Sequence, residues 1–193
     1  VSAYAEPEFY RMNEDSLRLV SYVARSWTGP GPRRLLDLGA GSGVIGIELA
    51  NLLAPDELTL LELQPEWGPY LEANVARVLR APTRAKIELV PLGEWNPPAT
   101  FELIVCNPPY FLPGHGKPSP DLRRDLCRSF TRDGWAALLA TIDRALAPTG
   151  AAYLVVRDDA RILRELERHR RGPATVSQDG GLAFVTLSGC RST

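Results

Sequence analysis

The 193 residues, 45% hydrophobic and 23% charged, fit one ordinary globular domain and argue against disordered, collagen-like and coiled-coil classes. No apolar run approaches the ~20 residues that span a bilayer, the opening residues lack a signal-peptide core, and three cysteines (Cys106, Cys127, Cys190) with His115 and His169 suggest neither a disulfide framework nor a metal site, so a cytoplasmic protein with no membrane or metal partner is expected. The net charge of −1 is unevenly spread: residues 1–106 carry 9 Lys and Arg against 14 Asp and Glu, residues 107–193 carry 13 against 9, and the second half is the better place for an anionic partner unless its arginine faces are simply solvated.

In chain order, residues 15–27 place Leu17, Val20, Ala24 and Trp27 at helical spacing behind Asp15 or Ser16 as an N-cap, and Gly29-Pro30-Gly31-Pro32 ends that helix. Strands and helices then alternate. Strand 33–38 leads to a helix over 43–53, strand 58–63 to a helix over 65–80, and strand 85–90 through a proline-rich connection to strand 101–106. An irregular stretch over 107–132 exceeds the ~12–15 residues usual for a structureless loop and is expected to be functional. A helix over 133–146, strand 151–156, a basic helix over 158–171 and strands 174–178 and 182–188 complete the chain. This rhythm predicts an α/β fold: a mostly parallel, seven-stranded, Rossmann-like sheet with helices on both faces and ligands at the carboxyl ends of its strands. Residues 1–32 are expected to form an N-terminal helical lid segment, and 33–193 the sheet domain.

The first strand ends in Asp37-Leu38-Gly39-Ala40-Gly41-Ser42-Gly43. Glycines allow the sharp strand-to-helix turn and let a ligand approach the backbone, whose free N–H groups attract electronegative atoms. Gly41, Gly43 and Gly46 also fit a dinucleotide pattern with Glu62 as the ribose acid, which keeps NAD as a competitor. Asp37 argues otherwise. A carboxylate at the strand end would repel a pyrophosphate but suits the positively charged amino end of S-adenosylmethionine (AdoMet), while Glu62 can accept from two ribose hydroxyls. Leu63, next to Glu62, belongs to the same candidate cofactor site.

The fourth strand runs into Asn107-Pro108-Pro109-Tyr110. The prolines fix φ and remove two backbone donors, and Pro108 holds Asn107 extended beyond the sheet edge. A ring-conjugated amine is a poor nucleophile because its lone pair is delocalised. If the Asn107 side-chain oxygen and the Pro108 carbonyl each accept one of its hydrogens, the nitrogen is drawn toward a pyramidal geometry and in-line displacement can follow. Tyr110 offers a flat face for a planar substrate.

The stretches DLGAGSG, LLEL and IVCNPPYF together resemble the class I AdoMet-dependent amino methyltransferases that act on adenine exocyclic amines or glutamine side chains. Residues 107–128 and 13–24 are most similar to the bacterial tRNA (valine) adenine-N(6) methyltransferase family. The resemblance implies AdoMet as cofactor, held by Asp37, Gly39, Ala40, Gly41, Gly43, Glu62, Leu63, Leu92 and Asn107. It implies methyl transfer to adenine in tRNA or other structured RNA, with Asn107, Pro108 and Tyr110 catalytic and Pro109, Tyr110, Phe111, Lys117, Arg124 and Arg128 on substrate. Where such enzymes place an Asp after the third strand to hold the cofactor's adenine, this chain reads LVPLGEW, leaving Glu94 or a backbone contact near Leu92. A protein glutamine or a small planar amine is the alternative acceptor, and a non-catalytic AdoMet-binding scaffold the alternative role. Protein-glutamine enzymes of this kind carry a helical domain ahead of the fold, and about 32 residues precede the first strand here.

Arg123 and Arg132 join Lys117, Arg124 and Arg128 as a basic cluster expected to face RNA. His115 reads as an exposed residue without a role and Cys106 as a small buried hydrophobe. Trp67, Trp95 and Trp135 are candidates for core or cofactor-pocket walls. The arginines of 157–171 alternate with Asp158, Asp159, Glu165 and Glu167, which predicts a solvated, ion-paired helix in preference to an RNA phosphate track.

Overall fold

The computed structural model describes residues 4–109, 120–127, 134–170 and 172–189. The elements are α1 (Glu14–Ser26), β1 (Arg34–Leu38), α2 (Val44–Leu53), β2 (Glu57–Glu62), α3 (Gly68–Val78), β3 (Arg84–Leu89), β4 (Phe101–Cys106), α4 (Leu122–Leu126), α5 (Gly134–Ala145), β5 (Leu146–Arg157), α6 (Ala160–His169), β6 (Ala174–Asp179) and β7 (Leu182–Ser188). The strands form a seven-stranded sheet in the order β3-β2-β1-β4-β5-β7-β6. Its first five strands are parallel, whereas β7 runs antiparallel to both β5 and β6.

Parallel strands need both faces covered, and the apolar runs of β1, β2 and β4 are correspondingly buried. On one face Leu19 and Val23 of α1, Ile47 of α2 and Leu71 of α3 pack over Leu35 and Leu58. On the other, Leu138 and Ile142 of α5 and Ile162 and Leu166 of α6 pack over Leu36, Ile104 and Leu154. The N-terminal helix is thus a layer of the sheet domain: Tyr22 stacks on Phe184 of β7 at 4.6 Å, and Arg18 pairs with Asp179 at 2.7 Å. Any covering role expected of residues 1–32 narrows to the described segment ahead of α1 and the first turn of that helix.

Three elements differ from the sequence expectation for local reasons. The helix expected over 65–80 is a 3-10 turn at Pro65–Trp67 followed by α3, because Pro69 has no amide hydrogen to give back to the carbonyl of Pro65. The stretch expected to be irregular contains α4, whose first turn is capped by the Asp121 side chain accepting from the Arg123 amide. β5 starts five residues early, and its pairing with β4 shifts register between Phe101 and Leu103. Among the described residues no helix is long and apolar enough to cross a membrane, and no group of His, Cys, Asp and Glu could hold a metal ion.

Candidate active site

The carboxyl ends of β1, β2 and β4, together with the segments after β3 and before α1, enclose a cavity of about 390 Å³. That is within the range of small-ligand sites. The turn after β1 is fixed from behind, since the Gly39 and Ala40 amides both donate to the Leu61 carbonyl, at 2.8 and 3.0 Å. Gly43, at φ +79°, occupies the left-handed region at the helix N-cap. Gly46 is needed for space: a Cβ there would lie 2.9 Å from Leu60 Cδ2 and 3.0 Å from Asp37 Oδ2.

Asp37 is placed differently from expectation. Its side chain is fully enclosed and lies outside the cavity wall, where Oδ2 accepts from the Gly46 amide at 2.8 Å. It thereby caps the first turn of α2, whose N-cap glycine has no side chain to do so. Asp37 therefore supports the glycine turn through Oδ2, while its buried Oδ1 has no hydrogen-bond partner among the described residues. Burial pushes its pKa up to about 7 despite the lowering bond from Gly46, and the charge of Glu62 adds to the rise.

Glu62 does reach the cavity. Oε2 accepts from the Gly41 amide and Oε1 from the Gln64 amide, each at 2.9 Å. A carboxylate oxygen has two lone pairs, so one remains on each oxygen for a paired donor such as a vicinal diol. Burial raises the Glu62 pKa, and the bonds from the Gln64 and Gly41 amides oppose that rise. The half-exposed Leu63 and the Pro91-Leu92-Gly93 turn line the adjoining wall. Glu94 is exposed and outside it, so of the two expectations after β3 only the one near Leu92 falls at the cavity. The Leu92 carbonyl is engaged by Thr141 Oγ1 at 3.2 Å, which ties this turn to α5.

Asn107, Pro108 and Pro109 form the wall beyond β4. The Asn107 amide nitrogen donates to Ser16 Oγ at 3.0 Å. Cys106 is buried, as its apolar setting implies; burial raises its thiol pKa, and the charges of Asp37 and Glu62 add to this. Tyr110, Phe111, His115, Lys117, Arg128 and Arg132 lie outside the described residues. Arg124 is exposed on α4, away from the cavity wall, while Arg123 pairs with Asp121 at 2.8 Å and sits over the Phe9 ring. On α6 and at its C-cap, Arg161, Arg168 and Arg170 pair with Asp159, Glu165 and Glu167, which matches the solvated-helix reading.

Part of the wall was not identified from the sequence. Tyr10, Met12 and Ser16 come from the N-terminal segment, and Gln64 follows Glu62. The N-terminal segment is anchored by the fully buried Asn74 of α3. Asn74 Oδ1 accepts from the Ala5 amide at 2.7 Å, while Nδ2 donates to the carbonyls of Ala5 and Ser42, each at 2.9 Å. Gln64 donates through Nε2 to Cys127 Sγ at 3.2 Å, and its buried Oε1 has no hydrogen-bond partner among the described residues. Trp67 is both core and cavity wall, whereas Trp95 and Trp135 lie in the core of the opposite face. No motif marked Gln64 or Met12; only the end of the N-terminal helix pattern marked Ser16.

A sheet of this order with a glycine turn after β1 and an acid after β2 defines a class I methyltransferase fold. The model of the family described as "Methyltransferase small domain" matches residues 19–185, and the chain belongs to that family. It is 33% identical over 140 residues to the tRNA1(Val) (adenine(37)-N6)-methyltransferase of Tolumonas auensis, covering 70% of this chain and 56% of that protein. The protein of the same description from Glaesserella parasuis is 32% identical over 152 residues, covering 78% and 60%. The chain thus spans little more than half the length of these curated relatives. A 16S rRNA methyltransferase from T. thermophilus, solved in complex with AdoMet and guanosine, superposes with a TM-score of 0.66 at 21% identity, covering 93% of this chain and 44% of that one.

Proposed function

We propose that the chain transfers a methyl group from AdoMet to the exocyclic amine of an adenine in tRNA. The observation that carries this reading is the opening of Glu62 and Asn107-Pro108-Pro109 onto one cavity, from neighbouring strand ends. The similarity to relatives described as tRNA adenine methyltransferases supports the choice of acceptor.

The cavity fits the cofactor. Glu62 retains paired acceptor capacity for a ribose diol, and Gln64 Oε1 is a further buried acceptor in the wall. A Cβ added at Gly39 would meet no atom within 4 Å, so the glycine leaves the backbone open to a ligand. Leu63 and Leu92 supply apolar surface for a flat ring. Bound AdoMet would supply an electrophilic methyl group on a sulfonium.

The remaining steps belong to the chain. Asn107 Oδ1 and the Pro108 carbonyl accept the two amine hydrogens, which turns the nitrogen lone pair toward the methyl group. Pro108 and Pro109 contribute no amide hydrogens that would compete for those acceptors. Tyr110 would offer its flat face to the base, with Pro109 and Phe111 as further substrate contacts. Lys117, Arg124 and Arg128 meet phosphates, which fixes register without reading sequence. After transfer the nitrogen carries one proton too many and loses it readily to solvent, so no strong base is needed in the wall.

The test is incubation with methyl-labelled AdoMet and separate fractions of unmodified tRNA, ribosomal RNA and protein. The expected result is label in tRNA, recovered as N6-methyladenine. Label recovered only in protein would replace this acceptor by a glutamine side chain. No label in any fraction, with AdoMet bound, would favour a scaffold.

A further inference from the structure

A side-chain amide such as that of Asn107 can turn over at little steric cost, because its nitrogen and oxygen ends have nearly the same shape. Turned one way it accepts from an amine. Turned the other way it presents N–H to N–H and holds nothing. Pro108 restrains the backbone of Asn107 but leaves its terminal torsion free. Something else must hold the side chain so that, with the acceptor amine in place, both ends of the amide are satisfied in one orientation.

The structure assigns that task to Ser16, a positioning residue in the first turn of α1, whose hydroxyl oxygen receives the Asn107 amide nitrogen at 3.0 Å and so keeps the amide oxygen available to the acceptor amine. Ser16 is 7% exposed and lines the same cavity as Asn107, so solvent is a poor substitute partner. Its helix is rigidly seated: Leu19 and Val23 are fully buried within three turns of it, and Arg18 is tied to Asp179. A tether on a mobile segment could not fix a torsion; this one is attached to the core. The bond spans 91 residues of sequence, so it forms only when α1 docks on the sheet.

With Ser16 in place, the competent orientation satisfies both ends of the amide at once, the nitrogen on Ser16 and the oxygen on the substrate. In the reversed orientation Ser16 can still donate to the oxygen, but the amine meets a donor. Ser16 therefore acts on the chemical step through Asn107 and has no direct contact with the reacting atoms. The inference rests on the role proposed for Asn107.

The test uses the full chain, AdoMet and an unmodified valine tRNA transcript. Ser16→Ala should lower kcat about 5- to 10-fold, the worth of one hydrogen bond, with AdoMet affinity unchanged and the chain still folded at the assay temperature. Ser16→Thr should restore most of the rate and the isosteric Ser16→Val should not, which separates the hydroxyl from the volume. Adding Ser16→Ala to Asn107→Ala should cost no further rate, because the tether then has nothing to hold. In the 15N-labelled protein the two Asn107 side-chain amide protons should have well-separated shifts that converge in Ser16→Ala; this readout needs no acceptor. Additive losses in the double variant, or amide shifts unmoved by Ser16→Ala, would overturn the assignment. If the wild-type chain leaves tRNA unmethylated, the acceptor proposal fails, while the amide shifts still decide whether Ser16 holds Asn107.

Discussion

The two ends of the cavity are held by different kinds of bond. At the cofactor end, Glu62 is gripped by main-chain amides of its own turn and of the neighbouring glycine turn, one on each carboxylate oxygen. At the proposed acceptor end, Asn107 is held by a side chain 91 residues away in the sequence. Backbone donors persist through almost any side-chain substitution, whereas a bond between distant side chains is lost with either partner. The cofactor end should therefore tolerate distant change, and the acceptor end should register how well α1 is packed.

The strongest way to break this contrast is Asn107→Ala. Turnover should fall about 10²-fold or more, with AdoMet binding intact, as measured by single-turnover rates. Near-normal rates would mean that other groups orient the amine. Next, Glu62→Ala should weaken AdoMet binding by about 1.5–3 kcal/mol in calorimetry, the worth of hydrogen bonds to a charged group, while the rate at saturating cofactor stays near normal. An equal loss in both measurements would erase the distinction between the two ends.

The third prediction concerns the support behind the cofactor end. The pKa of Asp37 is raised to about 7 in the folded chain against about 3.9 unfolded, so between those values folding retains a proton that the unfolded chain has released. Stability of the ligand-free protein should be greatest below about pH 4 from this group, and should fall by at most roughly 4 kcal/mol as pH rises from there through 7, levelling off above. Asp37→Asn keeps an acceptor for the Gly46 amide and should flatten that slope in denaturant titrations run at several pH values. A slope unchanged by the substitution would assign the titration to another group.

The smallest effect belongs to the exposed arginines. Arg124→Ala should raise the apparent KM for tRNA a few-fold and shallow its salt dependence, because one phosphate contact is lost. Arg161→Ala and Arg168→Ala on α6 should leave both unchanged, since those guanidiniums already face carboxylates.

The sequence patterns were legible where one short stretch encodes the feature. Alternation of apolar strands and helices gave the sheet, and the glycine turn, Glu62 and Asn107-Pro108-Pro109 were visible because each sits at a strand end. Asp37 was legible as part of the pattern, whereas its bond to the Gly46 amide was not. A motif does not say on which side of a turn a carboxylate falls, and here it faces α2. Ser16, Gln64 and Asn74 escaped because tertiary neighbours make them part of the site. Asn74 lies 69 residues from one of its partners and 32 from another, and nothing in helical periodicity marks a buried amide as a junction.

That junction bears on any attempt to shorten or graft the fold. Asn74 grips both Ala5 and Ser42, so α3, the N-terminal segment and the glycine turn are fastened at one point. Cutting the chain back to β1 would remove more than a dispensable leader, because it would leave a wholly buried amide without both of its bonds to Ala5 and open one wall of the cavity. Transplanting the glycine turn into another sheet would meet the same obstacle from the other side. The smallest transferable unit is discontinuous in sequence and includes the segment from Ala5 through the first turn of α1, the turns after β1 and β2, and the middle of α3.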